Sequence, residues 1–275
     1  MTRKPVVATR RGRTAVAEPP PFVERLYQLE VDQGKRKDES LSVVCYFWKE
    51  RGYSEPRGFE SSHVNALANG VAANLAHPHR FICITDETEG FSENVELMRL
   101  PEEAREAANV PTAQGHTRFP SCYRRLWTFS ESARALGDMV LVLDIDCFIT
   151  GSIDALFDFQ PLADFVGWNP VQAWGKTKVG GGTWRIRTGT KTRIWRQFSQ
   201  VEALKIKNLG YNGSDQAILS YKLADQPVFP NGWILNRQDM RRLGGKVPET
   251  AKIVHCNGPK GMKGFSSIRD VPWTR

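Results

Sequence analysis

The sequence predicts an α/β protein with a mostly parallel central sheet flanked by helices, and three observations carry that prediction. Apolar runs rich in β-branched residues recur at 41–48, 80–85 and 139–144, the pattern of strands buried on both faces. Stretches with helical spacing lie between them. The strongest run, 139–143, ends in two aspartates, Asp144 and Asp146. An unpaired carboxylate is costly in such a place, and open α/β sheets bind ligands beyond the carboxyl ends of their strands.

Taken in order, residues 1–21 are basic and then proline-rich at Pro19, Pro20 and Pro21, with little to bury, which predicts a disordered arm. Residues 22–40 read as a short helix and a charged loop. The ordered domain is expected from Leu41. A first strand spans 41–48, followed by a helix over 63–75 whose Val64, Leu67, Val71 and Leu75 share one face. Strands at 80–85 and 95–100 come next. A helix is predicted over 120–136, carrying Tyr123, Leu126, Trp127 and Phe129, and it leads into the 139–144 strand. Beyond Asp146, strands are expected at 165–168 and 183–186, helices at 194–198 and 216–223, and a strand at 253–254. This divides the chain into an arm (1–40), a first half (41–150) and a second half (151–275), the halves together making one domain.

At 275 residues the chain can bury a full core. No apolar run is long enough to span a membrane. The basic N-terminus has no apolar segment behind it, so it does not read as a secretory signal. Five cysteines, none in a CxxC pair, read as reduced buried thiols of a cytoplasmic protein. The formal charge is +8, concentrated between Lys176 and Lys207, where Lys178, Arg185, Arg187, Lys191, Arg193, Arg196 and Lys205 face a single acid, Glu202. Such a stretch is either a solvated basic face or a surface for polyanions.

Asp144 and Asp146 stand at i and i+2 and so point the same way from an extended chain. Two hard oxygen ligands on one face suit a divalent cation that also binds phosphate. His255, at the end of the 253–254 strand, would complete an O,O,N set, and Lys260 or Lys263 would neutralise phosphate charge. Gly213-Ser214-Asp215-Gln216 is a turn into an apolar helix, where Ser214 or Asp215 would also serve as a helix cap.

The order Tyr123-Arg124-Arg125-Leu126, Leu143-Asp144-Ile145-Asp146, Gly151 with Leu156-Phe157, Gly180-Gly181-Gly182, Asp215-Gln216 and His255 to Lys260 resembles family 8 glycosyltransferases over roughly residues 41–265. The resemblance implies the GT-A, Rossmann-like fold, with a nucleotide-sugar-binding half before residue 150 and an acceptor-side half after it. It implies a UDP-sugar donor, a Mn²⁺ or Mg²⁺ ion held by Asp144, Asp146 and His255, and transfer with retention of configuration. It also implies donor contacts from Phe47 and Trp48 after the first strand, from Asp86 after the second, from Ile145 between the aspartates, and from Gly258 with Lys260 or Lys263. Arg125 matches a helix arginine that reaches the donor side, and Asp215 and Gln216 match residues near the transferred sugar; these three are the catalytic candidates that the resemblance implies. Two departures stand out. The family lysine falls on Gly261 here, with lysines at 260 and 263, and three glycines replace the usual Asn-Ser-Gly turn.

The acceptor is left open between a glycan, lipid or protein hydroxyl and a hydroxymethylated base of DNA. The latter would need base flipping and would use the 176–207 basic stretch. Trp168, Trp174, Trp184, Trp195 and Trp233 are candidates for an acceptor cleft, with packing as the commoner role for most. The competing class is a non-catalytic nucleic-acid-binding protein on a degenerate GT-A scaffold. No protein partner is expected.

Overall fold

The computed structural model describes residues 39–48, 58–107, 121–170, 176–256, 258 and 262. All but Glu39 and Ser40 of the expected arm, with its short helix and charged loop at 22–40, lie outside the described residues, as do Trp174, Lys260 and Lys263.

The strands are β1 (Leu41–Tyr46), β2 (His79–Thr85), β3 (Glu96–Arg99), β4 (Met139–Leu143), β5 (Cys147–Ile149), β6 (Phe165–Gly167), β7 (Thr183–Arg187), β8 (Ile234–Asn236) and β9 (Ile253–His255). The α-helices are α1 (Ser61–Asn74), α2 (Glu102–Ala107), α3 (Asp154–Asp158), α4 (Arg193–Arg196), α5 (Gln200–Asn208), α6 (Asp215–Lys222) and α7 (Arg237–Arg242).

Six strands form the main sheet in the order β3-β2-β1-β4-β7-β6. β1 to β4 pair in parallel, and β7 runs antiparallel to both β4 and β6. The continuous apolar runs follow from cover on both faces. Val43, Cys45, Met139, Leu141 and Leu143 enter one core with α1, while Val44, Tyr46, Val140 and Val142 enter a second core with Leu126, Trp127 and Phe129. That is the period-2 alternation of a strand with no solvent face. Cys45, Cys83, Cys147 and Cys256 are buried, Cys122 is half-buried, and all five are free thiols.

The 120–136 helix is corrected. The chain there forms two 3-10 segments, Ser121–Phe129 and Ser132–Leu136. Tyr123, Leu126 and Phe129 are spaced by three and are all fully buried. A 3-10 turn stacks i on i+3, which is the spacing these side chains need to reach one core.

Of the second sheet, β5-β9-β8, only β9 was expected; β5 and β8 are three-residue strands too short to show a period of their own. β5 pairs antiparallel with β9, and β8 pairs parallel with β9. The turn holding Asp144 and Asp146 carries the chain from the main sheet into this small one.

Part of the basic stretch turns out to be internal. Arg185 is fully buried, and its guanidinium donates to the carbonyls of Leu156 (3.0 Å), Phe157 (2.7 Å), Phe159 (2.6 Å) and Gln160 (2.6 Å). The first three lie in the last turn and cap of α3, where helix carbonyls lack backbone partners and a cation is favoured, while the Gln160 carbonyl also accepts the Ala163 N–H (2.9 Å). Arg187 pairs with Glu39, and Lys191 Nζ lies 3.6 Å from Asp164. Arg185→Met is expected to cost about 3 kcal/mol, because the loss of a charged donor leaves the carbonyls of Leu156, Phe157 and Phe159 without it. Thermal melts would check this, at roughly 2–4 °C per kcal/mol for a chain of this size; an unchanged melting temperature would refute the structural role. No helix among the described residues is long and apolar enough to cross a membrane.

Candidate active site

Four chain segments meet where the two sheets adjoin. β4 ends at Leu143, opposite the first residue of β7, Thr183. β5 begins at Cys147, opposite His255 at the end of β9, and Asn236 at the end of β8 aligns with His255 from the other side. The backbone N–H of Asp144 donates to the Gly182 carbonyl (2.9 Å), and the N–H of Cys256 donates to the Asp146 carbonyl (2.8 Å). These bonds tie the aspartate turn to the glycine run on one side and to the histidine strand on the other.

Asp144, Asp146 and His255 therefore converge, with one ligand atom from each lying within 4.8 Å of the others. They line an open cleft of about 280 Å³ together with Trp168, Gly180 to Gly182, Gln216, Asn236 and Gln238. Two carboxylates and an imidazole form an oxygen–nitrogen set that could hold a divalent cation. Asp146 Oδ2 accepts the Gly258 N–H at 2.5 Å, which orients that carboxylate.

Burial pushes the His255 imidazole down to about 4, with Arg125 adding to the effect and Asp146 opposing it. It is thus neutral near pH 7, the form that ligates. Asp144 keeps 35% of its side chain open to the cleft. Burial pushes its carboxyl up to about 7; Arg125 pulls against this, and Asp146 and Asp215 push with it. A bound divalent cation would reverse that trend, because it favours the carboxylate.

Arg125 lies just behind the cleft wall. Nη1 pairs with Asp144 Oδ1, and Nη2 lies 2.7 Å from Asp215 Oδ2 in an ion pair that does not align as a hydrogen bond. Burial acts to discharge Arg125, but the charges of Asp144 and Asp215 outweigh it and its pKa is raised. Asp215 is itself raised by burial, with Arg125 opposing. Asp215 is the first residue of α6, and its carboxylate accepts the N–H of Gln216 (2.9 Å) and the hydroxyl of Ser214 (3.1 Å); Ser214, the N-cap, makes no side-chain capping bond of its own.

The glycine run has a steric cause. A Cβ at Gly180 would stand 2.5 Å from the Trp168 ring, and one at Gly182 would stand 2.5 Å from His255 Cε1. At Gly181 it would approach Arg125 Nη2 at 3.0 Å and Asp215 Oδ1 at 3.1 Å. Real Cβ contacts essentially never fall below 3.0 Å. Gly182→Ala is therefore expected to displace His255 and to weaken Mn²⁺ binding at least about 10-fold, the scale of a disturbed metal ligand. Titration against the wild type measures this, and equal affinity would refute the steric argument.

The other expected donor residues do not line this cleft. Phe47 is 1% exposed and packs edge-on against Phe91 in the core. Trp48 is half-buried, with the Arg124 guanidinium 4.3 Å from its ring centre. Asp86 is exposed and pairs with Arg105 at 2.7 Å. Ile145 turns its side chain into the core between the two aspartates. Gly258 meets Asp146 through its backbone. Among the tryptophans, Trp168 lines the cleft, Trp184 is fully buried, and Trp195 and Trp233 pack partly buried against the cores.

Thr177, Val179, Asn236 and Gln238 line the cleft without having been predicted. Asn236 had a readable signal. Asn236 and Asp239 form a reciprocal capping box that starts α7 at the cleft edge.

Among solved structures, the chain is similar to the galactosyltransferase LgtC in complex with donor and acceptor sugar analogues. The identity is 15%, the TM-score is 0.53, and the match covers 82% of this chain and 94% of that one. This is the GT-A fold. An active-site glutamine-to-glutamate mutant of LgtC matches with a TM-score of 0.55 at 15% identity and the same coverage. No protein-family model matches the chain, and no curated protein matches its sequence.

Proposed function

We propose that this chain is a metal-dependent glycosyltransferase that moves a hexose from a nucleotide sugar, a UDP-sugar first, to an acceptor hydroxyl with retention of configuration. The observation that carries the reading is the convergence of Asp144, Asp146 and His255 on the cleft of a GT-A fold. Those three residues would hold Mn²⁺ or Mg²⁺, whose positive charge offsets the charge that builds on a departing diphosphate. The chain's own groups set the rest. Asp146 is held in place by the Gly258 N–H. Arg125 fixes Asp144 and Asp215 relative to one another. Gln216 faces the cleft from the first turn of α6, where it would orient the transferred sugar. Retention and the UDP base follow from the family resemblance alone.

For the acceptor, a glycan or lipid hydroxyl and a hydroxymethylated DNA base stand as alternatives. Exposed Lys176 and Lys178 alternate with the cleft-lining Thr177 and Val179, which supports an anionic acceptor. The internal engagement of Arg185, Arg187 and Lys191 reduces the basic surface that would hold a duplex.

The test is release of nucleoside diphosphate from a panel of nucleotide sugars with Mn²⁺, compared with the same reactions in a chelator. Metal-dependent release that is largest with a UDP-sugar is expected. Titration showing that no nucleotide sugar binds in the presence of Mn²⁺ would overturn the reading in favour of a non-catalytic GT-A scaffold. Repeating the assay with DNA containing hydroxymethylated pyrimidines decides the acceptor. Duplex binding that falls steeply with salt is required for the DNA version, and no binding at low salt would remove it.

A further inference from the structure

We infer that Thr183 is a positioning residue for the metal centre, setting His255 so that its Nδ1, and not its Nε2, is the ligand atom. The inference rests on the metal reading above and concerns how this chain presents its imidazole.

The ring of His255 is held from three sides. Trp168 stacks on its face, with centroids 4.7 Å apart and planes 13° from parallel. The Thr183 hydroxyl oxygen lies 2.8 Å from Nε2. The backbone of Gly182 passes its Cε1–Nδ1 edge so closely that no side chain fits between them. A Cβ built on Gly182 would also lie 2.9 Å from Nδ1 and 3.1 Å from Asp144 Oδ2, so Nδ1 and that carboxylate oxygen face the same small space. Nε2 points instead to a hydroxyl that is fully buried at the head of β7.

A ring nitrogen whose lone pair ligates a cation cannot also accept a hydrogen bond, and the other nitrogen then carries the proton and needs an acceptor. Thr183 Oγ1 is that acceptor. The same hydroxyl can rotate to donate to Nε2 when Nδ1 carries the proton. It therefore serves the imidazole in both tautomers, whereas a methyl group in its place serves neither. Partners of this kind fix the tautomer and orientation of metal-ligating histidines, and their loss weakens metal binding about 10–100-fold. Trp168 supplies the second restraint, since its stacking on the ring face blocks rotation of the imidazole.

The test compares Mn²⁺ affinity, by electron paramagnetic resonance titration, in wild type, Asp146→Asn, Thr183→Val and Thr183→Ser. Alongside it, long-range ¹H–¹⁵N correlation of His255 in the Mg²⁺-loaded wild-type chain reads which nitrogen carries the proton. The expected outcome is a proton on Nε2, about 10–100-fold weaker Mn²⁺ binding in Thr183→Val, and recovery in Thr183→Ser, which restores the hydroxyl. A proton on Nδ1 in the loaded chain, or a valine variant that binds as wild type does, overturns the assignment. The tautomer is read on wild type and so decides the matter even if the valine variant fails to fold. Wild type binding Mn²⁺ no better than Asp146→Asn would instead sink the metal reading itself, and this assignment with it.

Discussion

Asp146→Asn is expected to lower metal-dependent release of nucleoside diphosphate by about 1000-fold or more while leaving the fold in place. The size follows from the charge involved. A leaving diphosphate gains negative charge as its bond to the sugar breaks, and losing a centre that stabilises it by about 4 kcal/mol corresponds to three powers of ten. Asparagine matches aspartate in shape and keeps a carbonyl oxygen to accept the Gly258 N–H that now binds Oδ2. What is lost is one of two anionic oxygens facing the cleft. Release assays on purified wild type and variant, with matched melting curves, check this directly. A variant that melts normally and still turns over within about 10-fold of wild type would mean that the aspartate pair is structural.

Arg125→Leu is expected to destabilise the metal-free protein by about 3–5 kcal/mol, the usual result of leaving buried charges without a partner. Asp215 is fully buried and Asp144 is partly so, and Arg125 is the cation between them. The variant should regain part of the loss on addition of Mn²⁺, because a divalent ion at Asp144 replaces one of the two interactions. The gap between melting temperatures with Mn²⁺ and with chelator should thus be wider in the variant than in wild type. Equal gaps would show that Arg125 and the cation do not share Asp144. A melt within about 2 °C of wild type in chelator would show that water already solvates the pair.

The parts of the fold that were legible are those where one residue pattern has one structural solution. Val140 to Leu143 is too apolar for any surface element and too short for a helix, so a central strand was the remaining choice, and Asp144 marked its end. His255 was legible because it follows Ile253 and Val254, which read as a strand. The 3-10 geometry at Ser121–Phe129 was harder, because Leu126 and Trp127 fit a helical face as well as Tyr123, Leu126 and Phe129 fit a period of three. The small sheet could not be read locally. Three-residue strands such as Ile234–Asn236 exist because partners distant in sequence complete them. Charge counting overstated the basic surface, since nothing adjacent to Arg185 in sequence reveals that its partners are the carbonyls at the end of α3. Donor contacts carried over by resemblance at Phe47 and Asp86 were placed by order along the chain, which does not reveal that Phe47 is buried in the core or that Asp86 pairs with Arg105.

The three glycines at 180–182 set a limit on how this cleft can change. That stretch of wall meets whatever enters the cleft with bare backbone, since every direction a side chain could take is already filled by Trp168, Arg125 with Asp215, or His255 with Asp144. A substitution there cannot retune recognition without first displacing part of the centre. Variation in what the cleft accepts is therefore confined to other lining positions, Pro170 and Gln238 among them. A library that randomises those two positions and leaves the glycines and Gln216 alone would vary recognition without touching the residues assigned to the transfer.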